Sequence, residues 1–264
     1  MNFFQSFLLG VIEGLTEFLP ISSTAHLILI SKILKIESND FLKFFEIFIQ
    51  SGAILAIIIL YFKKIFSSKK IIFFIFTSFI VTSLIGVLFY KTIKKDLFEN
   101  LKLIIFNLWF LGVVFIILEE LINRGKIHLN KTLQDLSIKE ALLIGLFQGL
   151  SIMPGISRAG AVILGMMILG YKREDSVTYS FFISVPTIIS AGLFDFYKSG
   201  INQVFLSSQN LFFLITGFLS AFLAAILVIN WFIKYLQKNN LKIFGYYRIL
   251  FAIFIYFYLF FYKS

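Results

Sequence analysis

The sequence has no cysteine among its 264 residues, only three prolines and two histidines, and 14% charged residues. The absence of cysteine excludes disulfides, thiolate nucleophiles and cysteine-ligated metals, and leaves the redox compartment undetermined. Soluble domains carry about a quarter charged residues, so the low charge, beside a hydrophobic content of 59%, excludes an ordinary water-soluble enzyme. The runs 71–90, 176–194 and 199–233 contain no Asp, Glu, Lys or Arg. They reach the roughly 20 apolar residues that a bilayer-spanning helix needs, which makes the chain a polytopic membrane protein. A formal net charge of +10 would suggest nucleic acid in a soluble protein. Here the basic residues are read as topology signals and partners of membrane lipid headgroups, and no nucleic acid is expected. The N-terminus lacks a basic n-region and a small-residue cleavage site, so a cleaved signal peptide is not expected.

Lysine-bearing breaks divide the apolar sequence into eight segments: 3–34, 41–62, 71–90, 101–121, 139–170, 175–197, 209–233 and 245–262. Six have single-span length. Segments 3–34 and 139–170 are longer, and proline and polar residues interrupt them at 17–23 and 153–158. Irregular backbone at membrane depth is tolerated only where it is buried in protein or faces a wet cavity, so both segments are read as re-entrant helical hairpins. They also match each other at an offset of 135 residues. Gly10, Gly14, Leu15, Ile21 and Ser22 fall on Gly145, Gly149, Leu150, Ile156 and Ser157, and Glu13 falls on Gln148.

Each half, about 1–121 and 138–264, runs hairpin, span, span, span. A hairpin returns to its own side and three spans cross over, so the second half starts on the opposite face. The expected fold is therefore all-α: six transmembrane helices plus two re-entrant helical hairpins, arranged as inverted-topology repeats within a single membrane domain, 1–264. In such folds a site forms where two broken elements meet near the midplane. Basic residues divide 14 to nine between the faces. The richer face, which holds loops 62–70, 122–140, 171–174 and 234–248 with Arg248 counted among them, is expected to be cytoplasmic. Both termini and the mouth of the first hairpin are then expected outside.

An ionised side chain at membrane depth costs about 2.5–3.5 kcal/mol on insertion scales, and five stand out: Glu13, Glu17, His26, Glu46 and Arg158. Glu13 and Glu17, at i and i+4, share a helix face about 6 Å apart along the axis. Unless their segment is a headgroup-exposed loop, such a pair holds a hard divalent ion or a shared proton. After Pro20, the run Ser22-Ser23-Thr24-Ala25-His26 opens a helix, where hydroxyls cap free N–H groups and the macrodipole favours an anion, as in a phosphate cradle. A hydroxyl on the same face as His26 is the minimal unit of assisted nucleophilic attack. The alternative is that the serines only cap and His26 packs against a backbone carbonyl. In the second hairpin Pro154-Gly155 breaks the helix and Ser157 caps the next. Arg158 brings a planar fork suited to phosphate oxygens, or else serves as a structural partner to one of the glutamates. Glu46 and Gln50 stand behind these groups on the next span, and His128 lies in the hydrophilic loop 122–137, where solvation accounts for it.

The stretch Glu13-Gly14-Leu15-Thr16-Glu17-Phe18-Leu19-Pro20-Ile21-Ser22-Ser23-Thr24-Ala25-His26-Leu27 resembles the (E/Q)xxxE element and its serine-histidine extension in bacterial undecaprenyl-diphosphate phosphatases, the bacitracin-resistance proteins. Pro154-Gly155-Ile156-Ser157-Arg158 resembles their PGxSR element, and Phe244-Gly245-Tyr246-Tyr247-Arg248-Ile249 a signature near their C-terminus. The family pattern continues as PGxSRSxxT, whereas this chain has Ala159 and Val162 at the later Ser and Thr. The resemblance, which spans essentially the whole chain, implies hydrolysis of the terminal phosphate of undecaprenyl diphosphate, a phosphoric anhydride, in the bacterial plasma membrane. This recycles the lipid carrier for peptidoglycan. It also implies a divalent cation, Mg²⁺ or Ca²⁺, and resistance to bacitracin, which competes for the substrate; it leaves a homodimer open.

On this reading Arg158, Ser22, Ser23, Thr24, Gly155 and Ser157 bind the diphosphate, and Glu13 and Glu17 bind the cation or move protons. Ser23 is the nucleophile with His26 or Glu17 as base, with a directly activated water as the competing mechanism. A transporter of the phosphorylated carrier is the alternative built on the same inverted repeat. The histidine-based lipid phosphatases are a third reading, but they need a second membrane-proximal histidine and a basic signature that the chain lacks.

Overall fold

The computed structural model describes residues 1–92, 100–199 and 207–262. Lys94, Lys95 and Lys263, counted above on the less basic face, and residues 200–206 of the longest charge-free run lie outside them. The described residues form ten α-helices: α1 (Phe3–Thr16), α2 (Ser23–Ile33), α3 (Asp40–Phe66), α4 (Lys69–Thr92), α5 (Leu101–Asn123), α6 (Ile138–Gly149), α7 (Arg158–Ile168), α8 (Arg173–Ser199), α9 (Ser208–Leu236) and α10 (Lys242–Tyr262). The only pairing outside helices among them is an isolated bridge between Lys131 and Tyr171.

Helix starts follow local chemistry. Asn2 and Gln5 form a capping box at α1, and Ser137 and Glu140 form another at α6. The side chains of Asn39, Asn100 and Ser207 accept from the main chain at the starts of α3, α5 and α9. Each satisfies one of the donors that a helix start leaves unpaired. Six helices, α3, α4, α5, α8, α9 and α10, are long and apolar enough to cross a membrane. Many large apolar side chains point outward from them, among them Leu84, Val87, Leu223 and Leu227, as expected of a lipid-facing surface. Both interrupted segments are split where proline and polar residues fall: 3–34 becomes α1 and α2, and 139–170 becomes α6, a 3₁₀ turn at Leu150–Ile152, and α7.

The packing is reciprocal. α1 lies against α9 and α6 against α4, so the first helix of each split segment packs on the middle long helix of the other half, while α3 meets α8 and α5 meets α10. The glycines that match at the offset of 135 lie at these contacts. A Cβ on Gly145 would stand 2.6 Å from the Ser78 carbonyl oxygen of α4, and one on Gly14 would stand 2.8 Å from Ala224 Cβ of α9. Small residues let helices approach this closely within a bilayer. Hydroxyls reinforce the α4–α6 crossing: Ser78 Oγ donates to Ala141 O at 2.6 Å and Thr82 Oγ1 to Gly145 O at 2.9 Å.

Two charged groups depart from expectation. Arg248, counted as an orienting charge of the cytoplasmic face, is fully buried, because α10 starts at Lys242 and places residue 248 inside the bundle against α5. Glu119, absent from the five intramembrane charges, is also fully buried; it pairs with Arg173 and accepts from Leu241 N at 2.8 Å, tying α5 to the starts of α8 and α10. In the loop before α6, Thr132 donates through its N–H and its hydroxyl to Asp135 and holds that carboxyl below its usual range. His128 is exposed there, as expected.

Candidate functional site

The helices that follow the two breaks start in the same way. Ser22 (φ 71°) and Ser157 (φ 69°) are non-glycine residues in the left-handed region, one residue before α2 and α7. Such backbone is unfavourable outside glycine and persists where its surroundings over-determine it. The side chains at this turn differ. Ser157 Oγ accepts from Gly160 N at 3.2 Å, as expected of a cap. Ser22 makes no side-chain cap bond, which corrects the capping role expected of it: the first hydroxyl of the run leaves the helix start uncapped.

The first residues of the two helices, Ser23 and Arg158, are again 135 apart in sequence, and they converge on one carboxylate. Ser23 Oγ donates to Glu17 Oε2 at 2.5 Å, and Arg158 Nη2 donates to Glu17 Oε1 at 3.2 Å. Arg158 Nη1 donates to Ser180 O at 3.0 Å, while its Nε is buried and without a partner. Both side chains of the ion pair are largely buried, 11% exposed for Arg158 and 8% for Glu17. An ion pair so placed is shielded from water and held in geometry by its neighbours, unlike a surface pair.

Ser23, Arg158 and Glu17 line a cavity of about 200 Å³, together with Ser22, Thr24, Gly155 and Ser157. All six residues expected to bind the diphosphate therefore face one space, with Gln50 from α3, anticipated on sequence, beside them. Ser151 and Thr187 also line it and were not anticipated. Ser151 stands between Gly149 and Pro154 in the second break. Thr187 follows Pro186 in α8, and that proline was the available signal in an otherwise uniform span. Ala159 and Val162, where the family pattern has Ser and Thr, are buried in the core and do not line the cavity.

His26 is elsewhere. Its Nδ1 lies 2.8 Å from Ser22 O and its Nε2 2.6 Å from Tyr247 Oη, and its ring stacks on Phe251 with centroids 4.1 Å apart. Both ring nitrogens are thus engaged away from Ser23, whose hydroxyl is hydrogen-bonded to Glu17 instead. Of the two groups expected as base, His26 or Glu17, it is Glu17 that is hydrogen-bonded to Ser23 here. A residue three positions along a helix shares a face, but the side chain here turns toward α10. His26→Phe is accordingly expected to cost no more than about tenfold in kcat, below the 10²–10⁴-fold typical of a lost general base. Phosphate-release kinetics of the variant check this, and a loss of about 10³-fold would restore His26 as the base.

Glu13 is fully buried, both of its oxygens lack a partner, and it stands one helical turn from Glu17. It does not line the cavity. Glu46 accepts from Ser31 Oγ at 3.2 Å. Among the described residues no cluster of three or more His, Cys, Asp or Glu forms a closed metal cage. Two carboxylates, one with orphaned oxygens, nevertheless suit Mg²⁺ or Ca²⁺, because such ions are commonly held by one or two carboxylates, with water and substrate phosphate completing the shell.

Comparison with known proteins yields a consistent picture. A family model described as bacitracin resistance protein BacA matches residues 6–254. The chain is 40% identical over 250 residues to a protein of Aquifex aeolicus named undecaprenyl-diphosphatase, covering 95% of this chain and 96% of that one. It is 41% identical over 259 residues to a protein of the same name from Wolinella succinogenes, covering 98% and 99%. Identity to a Sulfurihydrogenibium protein, again so named, is 40% over 256 residues.

Proposed function

Because the chain belongs to the bacitracin resistance protein family, we propose that it is an undecaprenyl-diphosphatase, which removes the terminal phosphate of undecaprenyl diphosphate and confers resistance to bacitracin. The observation that carries the site assignment is the convergence of the Ser23 hydroxyl and the Arg158 guanidinium on Glu17 in a single cavity between two helix breaks.

Arg158, with the free N–H groups at the starts of α2 and α7, receives the diphosphate. A planar fork and helix N-termini both favour phosphate oxygens. Ser23 Oγ attacks the terminal phosphorus and passes its proton to Glu17, to which it is already hydrogen-bonded. The bond from phosphorus to the bridging oxygen breaks, and that oxygen departs with undecaprenyl phosphate. Water then displaces Ser23 from phosphorus, Glu17 returns the proton to Ser23 Oγ, and inorganic phosphate leaves with both hydrogens of the water. Charge developing on the phosphoryl oxygens is met by Arg158, fixed beforehand by Glu17 and Ser180 O. Glu13, whose oxygens are unpaired, and Glu17 one turn away are the residues that would hold a divalent cation, which would supply positive charge beside the cavity to offset that of the substrate phosphate.

The protein is read as residing in the bacterial plasma membrane, with α1–α2 and α6–α7 as re-entrant hairpins of two inverted repeats, about 1–121 and 138–264. The reciprocal packing of α1 on α9 and α6 on α4 supports that arrangement. The cavity opens to the extracytoplasmic side and both termini lie outside. The richer share of basic residues on the opposite face supports this orientation even without Arg248.

The test is phosphate release by purified protein in detergent, with no sealed compartment. Release is expected from undecaprenyl diphosphate, with loss on chelation by EDTA and recovery on adding Mg²⁺ or Ca²⁺. A protein that only carries the lipid across a membrane would release none. Full activity in EDTA would remove the cation from the reading.

A further inference from the structure

Arg248 is fully buried, and among the described residues it has no carboxylate partner. Its guanidinium donates to four main-chain carbonyls: Nε to Leu108 O at 3.3 Å, Nη1 to Pro20 O at 3.0 Å, and Nη2 to Asn107 O at 3.2 Å and to Gly155 O at 2.7 Å. A buried cation without an ion-pair partner is costly unless its donors are satisfied, so the choice of carbonyls is informative. Pro20 and Gly155 are the matching residues of the two breaks at the offset of 135. Pro20 precedes Ser23 by three residues and Gly155 precedes Arg158 by three. One rigid fork thus joins the two breaks at equivalent points, immediately ahead of the two side chains that meet at Glu17.

The remaining bonds fix the fork to α5, which also holds the second break directly: Asn107 Nδ2 donates to Pro154 O at 2.8 Å. Gly155, at φ 94°, lies so close to α5 that a Cβ there would stand 2.7 Å from Ile104 O. Neither break carries regular helical hydrogen bonds across its length, so among the described residues the spacing between them rests on the Arg158–Glu17 pair and on the Arg248 fork behind it. Lysine could not do the same work, because an ammonium lacks the fixed geometry that addresses carbonyls from three elements together.

We infer that Arg248 is a positioning residue for phosphate release, holding the Pro20 and Gly155 breaks in register so that Ser23 and Arg158 meet at Glu17. This rests on the phosphatase reading, and the experiment separates the two. In the cysteine-free chain, Leu15→Cys and Leu150→Cys place one spin label beside each break on exposed side chains. Pulsed electron-electron resonance then reports the distance distribution, independently of turnover. A misplacement of about 1 Å can cost 10²-fold, so Arg248→Lys is expected to lower kcat about 10²-fold, leave KM within about threefold, and broaden the distribution at unchanged helix content. A kcat within threefold of the parent, a loss confined to KM, or a distribution as narrow as the parent's overturns the assignment. If Arg248→Lys does not fold, Arg248→Gln, which keeps a planar amide donor but loses the fork, decides alone: a fall of at least about tenfold with broadening supports the inference by the same reasoning, and an unchanged rate or distribution overturns it. A parent that releases no phosphate overturns the phosphatase reading instead, and the distance arm stays readable.

Discussion

Ser23→Ala protein is expected to release phosphate from undecaprenyl diphosphate at least about 10³-fold more slowly than wild type, the scale on which a lost nucleophile is felt. The magnitude discriminates between mechanisms. If water attacked phosphorus directly, Ser23 would contribute one hydrogen bond to a charged group, about 1.5–3 kcal/mol or roughly 10- to 10²-fold. Ser23 Oγ lies 2.5 Å from Glu17 Oε2, so the acceptor for its proton is in place before substrate arrives, and alanine removes the attacking atom without opening a large void. Initial-rate assays at saturating substrate measure the effect. A loss of tenfold or less would remove Ser23 as nucleophile and favour a water activated by Glu17.

Arg158→Lys is expected to cost about 10²-fold in kcat/KM, in line with the loss of one preorganised donor to developing charge. The substitution keeps the charge and removes the fork. Arg158 spans Glu17 Oε1 and Ser180 O with two different nitrogens and has a third, Nε, buried without a partner. A single ammonium cannot reproduce that spread. Alanine would be a poorer test, because removing one partner of a buried ion pair destabilises by about 3–5 kcal/mol and confuses folding with catalysis. Steady-state kinetics on Arg158→Lys with an unchanged thermal midpoint isolate the effect on chemistry; a variant with wild-type kcat/KM would end the assignment of Arg158 as the phosphate clamp.

Much of this site is legible in the sequence, for reasons that can be named. Charges at membrane depth are costly enough to be few, so Glu17 and Arg158 stand out against apolar neighbours. Pro20 and Pro154 disfavour a continuing helix and stand close to serines or a glycine, so the breaks fall there, whereas Pro186, between Val185 and Thr187, leaves α8 continuous. The offset of 135 matches residues that later prove to share positions: glycines at close helix contacts, serines at positive φ, and Ser23 with Arg158 as first residues of α2 and α7. Contacts between distant parts of the chain are less legible. Helical spacing puts His26 on the face of Ser22 and Ser23, yet its ring turns to Tyr247, 221 residues away, because α10 offers both a hydroxyl and aromatic faces to stack against. Arg248 reads as a loop charge because it lies close to the lysine-bearing start of a span. Only the packing of α10 on α5 shows that it reaches the two breaks.

The most direct measurement of the central claim, that Ser23 attacks phosphorus with Glu17 taking its proton, is the stereochemical course of hydrolysis. It uses an undecaprenyl diphosphate analogue whose terminal phosphate is made chiral with sulfur and oxygen isotopes. Transfer to Ser23 and then to water comprises two in-line displacements, and the account predicts net retention of configuration at phosphorus. Net inversion, the signature of a single attack by water, would contradict it.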